Sequence, residues 1–378
     1  MILGMATSLS LTPLNFFFIN FISFPLFFIF LVKKLNQKRN LKLFFLYGWL
    51  FGFGFFLTNL YWISISLTFD QNLKFLIPVT VIFIPSFLAL FFGLVSCLFM
   101  ILKIKNFISS FFIFSLIFGI VEFIRGSILT GFPWNLIVFS FVNQLELLSI
   151  TSIIGTYGLN LFCISLFTSP ALFFLRKSKK ELSIFICFII FFIFFYSHGH
   201  FYKKSFYKAE NQFYEYKIRV IGSNISLDRF YLDIYTLSII EDLIKLSNPK
   251  KDEKTIFIWP EGVLPNMSQE ELKEYSLLFN EKFNENHLLI IGTNNQYMNE
   301  GFKDYFNSLS LFDSKLNLLN FYKKINLVPF GEFLPLEKIL NKVGLKPLTN
   351  NYQSFSKGES REIIEIKKKN FSLKILPL

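Results

Sequence analysis

Six long apolar stretches fill the first half of the chain, near residues 13 to 32, 43 to 66, 75 to 102, 107 to 125, 151 to 175 and 181 to 197. Each is long enough, or nearly so, to cross a hydrocarbon core that takes about 20 helical residues. The pattern predicts an α-helical transmembrane bundle over residues 1–197. The connections set its orientation: "KKLNQKRNLK" (33–42), "KIK" (103–105) and "RKSKK" (176–180) are basic, whereas "TFDQN" (68–72) is not. Basic loops stay on the cytoplasmic side, so alternation sends the sixth helix outward and places everything after about residue 198 on the far face of the membrane. The opening "MILGMATSLSLTP" is too short for a full span and lacks the charged start of a secretory signal, which leaves an interfacial segment or the tail of a longer helix.

A polar and aromatic stretch at 198–216 reads as a linker, and beyond it the periodicity changes. "IRVIGSNI" (218–225), "TIFIWPEG" (255–262) and "HLLIIGTNN" (287–295) have the β-branched texture of strands, and "FYLDIYTLSIIEDLIKLS" (230–247) has helical spacing. "SQEELKEYSLLFNEKF" (268–283) opens with Ser268 and Glu271 in capping-box spacing, which predicts a helix start. "FNSLSLFD" (306–313) and "KLNLLNFYKK" (315–324) read as a pair of strands, and "FSLKILPL" (371–378) as a later one near the middle of the same sheet. The β-α-β-α-β order predicts an α/β domain over 217–378, a sheet with helices laid on it.

Composition agrees with the membrane assignment: 53% of the 378 residues are hydrophobic, 17% are charged and the mean hydropathy is +0.48. The net charge of +12 invites a nucleic-acid reading, but the cations cluster between apolar runs and along the polar second half. Membrane orientation explains the first group better, and no nucleic acid is expected as a partner. Cys97, Cys163 and Cys187 sit in apolar runs without CxxC spacing and read as small buried hydrophobes. His198 and His200 lack a third ligand nearby, so no metal is expected, and no cofactor is implied. The 55 Phe read as base-composition bias. Within the bundle, Glu122 and Arg125 are one helical turn apart and are expected to neutralise each other; the weaker alternative makes Arg125 a substrate contact. Trp134 reads as an interfacial anchor before a ligand contact.

Candidate chemistry sits in two stretches. Pro260 ends its strand and presents Glu261 at the C-terminal mouth, where α/β sheets carry their sites. "YKKINLVPFGEFLP" (322–335) supplies Lys323, Lys324 and Glu332. An ammonium held near two carboxylates can steady an anionic intermediate while one carboxylate serves as base. Taken singly, these residues are equally compatible with an ordinary loop acid and a solvated lysine.

The motifs occur together, however. "IWPEGVLP", "NSL" (307–309), "YKKINLVPFGEFLP" and "SFSKG" (354–358), behind a bundle containing "RG…LTGFPW" (125–134), resemble apolipoprotein N-acyltransferase, a membrane-anchored relative of the nitrilases, from about residue 10 to the end. The resemblance implies an α-β-β-α sandwich, here incomplete, with Glu261 as general base, Lys324 as the oxyanion-stabilising lysine and Glu332 as a supporting acid. It further implies a cysteine nucleophile, which takes a fatty acyl group from a phospholipid as a thioester and yields it to the α-amine of a diacylglyceryl-modified apolipoprotein. The partners would be those two lipids and the bilayer of a bacterial inner membrane, with the enzyme a monomer and its nitrilase-like domain on the periplasmic side. The family's thiol lies in a "CYE" motif after a strand matching 371–378; no cysteine of this sequence occupies it, so the chain is expected to be truncated and inactive as given. The competing reading is a non-catalytic membrane protein whose outer domain binds lipid or peptide. A transporter is disfavoured, because the six stretches show no obvious repeat.

Overall fold

The computed structural model describes residues 1–37, 40–68, 71–102, 104–128, 131–176, 178–210, 215–226, 229, 233–264, 267–299, 302–329, 331–333, 354–368 and 371–377. Parts of the quoted stretches lie outside them, among them Leu129, Thr130, residues 230–232, Pro265, Phe330, Leu334, Pro335 and Leu378. Contacts divide the chain into two compact units, Met1–Gln212 and Phe213–Leu378.

The first unit is helical. A short α1 (Ile2–Ser8) precedes α2 (Asn20–Gln37), α3 (Leu41–Leu60), α4 (Ile77–Leu102) and α5 (Phe107–Arg125). After them come α6 (Leu145–Leu148), α7 (Thr151–Thr168), α8 (Pro170–Phe174) and α9 (Lys179–Glu210). Six segments of the described residues are long and apolar enough to cross a membrane: Phe17–Gln37, Leu41–Thr68, Lys74–Leu102, Phe107–Arg125, Thr151–Phe174 and Lys179–Ala209. The opening segment folds as α1 and is tied to α2 by the Thr7 hydroxyl, which donates to Ser23 Oγ at 2.8 Å.

The phenylalanines form the core of this unit. Phe24, Phe28, Phe44, Phe55, Phe111, Phe114 and Phe118 are fully buried, and Phe92 meets Phe118 edge-on with centroids 4.9 Å apart. Rings favour such offset and edge-to-face contacts, so the Phe excess has a structural use whatever its origin in base composition.

Helix α9 departs from the expectation of a linker at 198–216: it continues to Glu210. Nothing in "SHGHFYKKSFYKAE" forces a break except Gly199, and there the missing side chain is used. A Cβ at Gly199 would lie 1.7 Å from the Glu146 carbonyl oxygen of α6. Lys203, one turn on, reaches the Glu146 carboxylate at 2.8 Å. Only 6% of the apolar window of α9 is buried inside the chain, and Cys187 is exposed on it, contrary to the buried role expected of that cysteine. Most of the helix surface faces outward, where lipid suits apolar side chains.

The second unit holds a five-stranded sheet in the order β1 (Lys217–Val220), β2 (Thr255–Trp259), β3 (His287–Asn299), β4 (Phe302–Asp313), β5 (Leu318–Lys323). The first three strands are parallel and the last two join antiparallel. Helix α10 (Thr236–Ser247) precedes β2, and the capping box at Ser268 and Glu271 starts α11 (Gln269–Leu272), which passes through a 3-10 turn into α12 (Ser276–Lys282). One face of the sheet, carrying Phe257, Trp259, Leu289, Ile291 and Phe312, packs with Ile239, Ile240 and Leu243 of α10 and Phe279 of α12. The opposite face carries Ile256, Leu288, Ile290, Leu311 and Tyr322 and packs against Ile364.

Two expectations need correction. The strand foreseen at 218–225 is confined to Lys217–Val220. Residues 371–375 form β7, which pairs antiparallel with β6 (Ile364–Lys368) in a separate two-stranded sheet and not inside the main one. Alternating Ile364 and Ile366, placed directly before the lysines at 367–369, give β7 a nearer partner than any strand of the large sheet.

Candidate functional site

The residues proposed for chemistry converge at the C-terminal end of β2. Trp259 fixes that end: its ring is buried against Phe279 and its indole N–H donates to Ser247 Oγ of α10 at 2.9 Å. Pro260 and Glu261 then cross close over β3, where a Cβ on Gly292 would come within 2.6 Å of the Glu261 Cα. Only glycine permits that approach. On the neighbouring strands, Asn307 of β4 lies one step from the Ser308–Lys323 pair, and the Lys324 amide extends the ladder by donating to the Asn307 carbonyl at 2.8 Å. The Lys324 carbonyl accepts from the Gly358 amide at 2.9 Å, so segment 354–358 clamps the lysine from its other side.

Glu332 is held as firmly. One carboxylate oxygen accepts from the Val328 amide at 2.7 Å, its own amide donates to the Val328 carbonyl, and its carbonyl accepts from Phe355. Lys324 Nζ thereby lies 2.7 Å from Glu261 Oε1 and 3.0 Å from Glu332 Oε1. The Asn307 amide donates to both carboxylates.

The two acids differ in access: the Glu261 side chain is 59% exposed and that of Glu332 10%. Glu261 is therefore the carboxylate that an outside group can meet, while Glu332 braces the lysine. Partial burial pushes the Glu261 pKa up, but hydrogen bonds from Lys324 and Asn307 and the lysine's charge outweigh it and hold the group below its ordinary 4.5. Burial likewise pulls Lys324 down, and its bonds to Glu261 and Glu332 more than reverse that, leaving it above 10.5. Near neutral pH Glu261 is therefore a carboxylate beside the Lys324 ammonium: a proton acceptor next to a fixed positive charge.

Lys323, the neighbour, points to the other face of the sheet between the rings of Tyr297 and Phe306. Asn307 stands in the "NSL" motif, yet sequence reasoning assigns it no role; the available signal is its polar amide on the face that carries Leu309 and Leu311. In the first unit, Glu122 and Arg125 form the expected pair, with Nε and Nη2 donating to the two carboxylate oxygens at 2.9 and 2.8 Å. Arg125 Nη1 also donates to the carbonyls of Phe132 and Trp134 at 2.6 and 3.0 Å. At 1% exposure, Arg125 is a buried strut for that loop. Trp134 is exposed and stacks on Trp62 with centroids 5.5 Å apart.

Six helices long and apolar enough to span a bilayer, followed by a mixed-sheet α/β unit, define a multi-pass membrane protein with an α/β domain. Comparison with known proteins narrows the class. The model for the apolipoprotein N-acyltransferase N-terminal domain matches residues 3–167. Apolipoprotein N-acyltransferases of Allorhizobium ampelinum, Brucella melitensis and Rhodopseudomonas palustris are 28%, 25% and 26% identical to it, over 99%, 96% and 96% of this chain and 71%, 70% and 70% of their own lengths. The chain is similar to apolipoprotein N-acyltransferases along nearly its whole length, and that resemblance supports an N-acyltransferase.

Proposed function

We propose that this chain carries the acid and lysine apparatus of lipoprotein maturation, in which a fatty acyl group passes from a phospholipid to the α-amine of an N-terminal diacylglyceryl cysteine. The observation that carries the reading is the Lys324 ammonium held between an exposed Glu261 and a buried Glu332. Glu261 takes the proton of a thiol nucleophile, whose sulfur attacks the ester carbonyl of the phospholipid. The negative oxygen of that tetrahedral intermediate is stabilised by Lys324, and collapse expels the lysophospholipid alcohol, which recovers the proton from Glu261. The resulting thioester is attacked by the amine, Glu261 accepts the amine's proton, and the thiol is regenerated.

Residues 213–378 contain no cysteine, and Cys97, Cys163 and Cys187 belong to the membrane unit. The thiol is therefore not supplied by the acid and lysine segments themselves, and residues 1–378 alone are proposed to transfer nothing. The same observation favours the second reading, a domain that binds lipid or peptide without catalysis. The test is to express residues 1–378 alone, and joined after Leu378 to the cysteine-bearing segment of a relative, and to assay transfer from labelled phospholipid to a diacylglyceryl peptide. Transfer only by the joined form supports the enzyme. Thioester in the short form overturns the origin assigned to the thiol, and an inactive joined form with retained lipid binding favours the second reading. For the periplasmic placement, a reporter fused after Glu210 should be active only outside the cytoplasm; cytoplasmic activity would sink it.

A further inference from the structure

We propose that Lys323 is a positioning residue: its ammonium, pinned between Tyr297 and Phe306 on the helix-covered face of the sheet, fixes the end of β5 so that Lys324 emerges on the opposite face against Glu261 and Glu332. The proposal rests on the reading of Lys324 as the lysine that stabilises the anionic intermediate.

Strand geometry supplies the juxtaposition. Lys323 lies opposite Ser308, so it shares a face with Ser308 and with Phe306 two residues earlier, while Phe306 lies opposite Asn295, two residues from Tyr297. Tyr297, Phe306 and Lys323 thus meet on one face. Lys323 Nζ is 4.1 Å from the Tyr297 ring centroid and 4.0 Å from that of Phe306. The two rings stand 5.8 Å apart at 73°, so the cation meets them from two directions. Both distances are well within the range of about 6 Å over which a ring face attracts a cation. Phe321, two residues before Lys323, stacks with Tyr297 at 6.4 Å and ties the same strand to the same ring. Among the described residues Lys323 makes no ion pair, so the rings are what hold it.

Successive side chains of a strand leave on opposite faces, so an anchor at 323 resists the twist that would swing the Cα–Cβ bond of 324 away from the carboxylates. The backbone bonds of Lys324 to Asn307 and Gly358 fix its peptide groups, and the Lys323 side chain fixes rotation about the strand axis. The same anchor keeps a second ammonium away from the two acids, where it would compete with Lys324 for them.

The experiment uses residues 1–378 in detergent and does not depend on turnover. Lysines are acetylated with limiting acetic anhydride across the alkaline range, and tandem mass spectrometry separates modification at 323 from that at 324. In the parent chain Lys324 should react slowly, with a midpoint above its ordinary value. Lys323→Leu and Tyr297→Leu should each speed Lys324 modification, by about two- to fivefold per cation–ring pair removed, and draw its midpoint toward the ordinary value. Lys323→Arg, which also stacks on aromatic faces, should restore the parent profile. Thermal melting selects folded variants, and Phe306→Leu replaces any that fails to fold. An unchanged Lys324 profile in the leucine variants, or an arginine variant as reactive as the leucine one, overturns the proposal. Failure of the underlying reading looks different: Lys324→Met in the cysteine-bearing form would retain transfer.

Discussion

Replacing Arg125 by Met asks whether this guanidinium is a strut or a substrate contact. Its N–H groups make four hydrogen bonds, two to the Glu122 carboxylate and two to the carbonyls of Phe132 and Trp134. Met preserves much of the length but no charge, so Glu122, at 0% exposure, loses its counter-ion. Breaking one side of a buried pair costs about 3–5 kcal/mol. The two carbonyls add little, because Phe132 is half-buried and Trp134 exposed, which lets water reach their loop. For a unit the size of residues 1–212 that cost corresponds to a melting point lower by roughly 6–20 °C. Thermal unfolding of the detergent-solubilised chain, followed by tryptophan fluorescence, measures it. Adding Glu122→Gln should recover more than half of the loss, since neither partner is then left charged. A single variant that melts within about 3 °C of the parent, yet abolishes transfer in the cysteine-bearing form, would refute the strut and restore the substrate contact.

Lys324→Met should lower transfer by the cysteine-bearing form about 10²–10³-fold while leaving lipid binding in place, measured by single-turnover transfer and vesicle co-sedimentation. The Glu261 carboxyl is held below 4.5, so its contribution to stability is present above that value and lost as pH falls through the lower folded value; that of Lys324 is present below 10.5 and lost as pH rises through the higher one. The melting difference between the parent chain and Lys324→Met should therefore be level between about pH 5 and 10 and shrink on both sides; a slope at neutral pH would contradict the assigned directions. Asn307→Leu removes a donor that both carboxylates share, so the acid limb of the transfer rate should move to higher pH, and an unmoved limb would show that Asn307 does not tune Glu261. Ser247→Val leaves the buried Trp259 N–H unpaired and should destabilise the second unit by about 1–3 kcal/mol in denaturant melts.

The transmembrane helices were legible because membrane thickness imposes a length on apolar runs, and the strands carrying Trp259 and Leu288 were legible because buried strands run short and β-branched. The extension of α9 was not: its last turns are polar, and what sustains them is contact with Glu146, more than fifty residues away in sequence. Residues 371–378 were legible as a strand, but the partner β6 was not, since lysines cut short the alternation of Ile364 and Ile366. Glu261, Lys324 and Glu332 could be named from motifs, but their unequal exposure depends on how segment 354–358 folds over Glu332, which no local pattern encodes. For Arg125 the one-turn spacing to Glu122 pointed to a structural pair, but the two loop carbonyls it also holds had no signal in the sequence.

Lys324 is bonded through its side chain to residues 63 and 8 positions away and through its backbone to Asn307 and Gly358. The Glu261 contact joins distant parts of the chain, a closure whose entropic cost rises only slowly with the length of the loop. Because the lid-like segment 354–358 contributes backbone bonds and little apolar burial, its opening costs far less than unfolding the strands beneath it. The amides of Phe355, Ser356 and Gly358 should exchange with solvent through local excursions in which the sheet stays intact and the site alone comes apart.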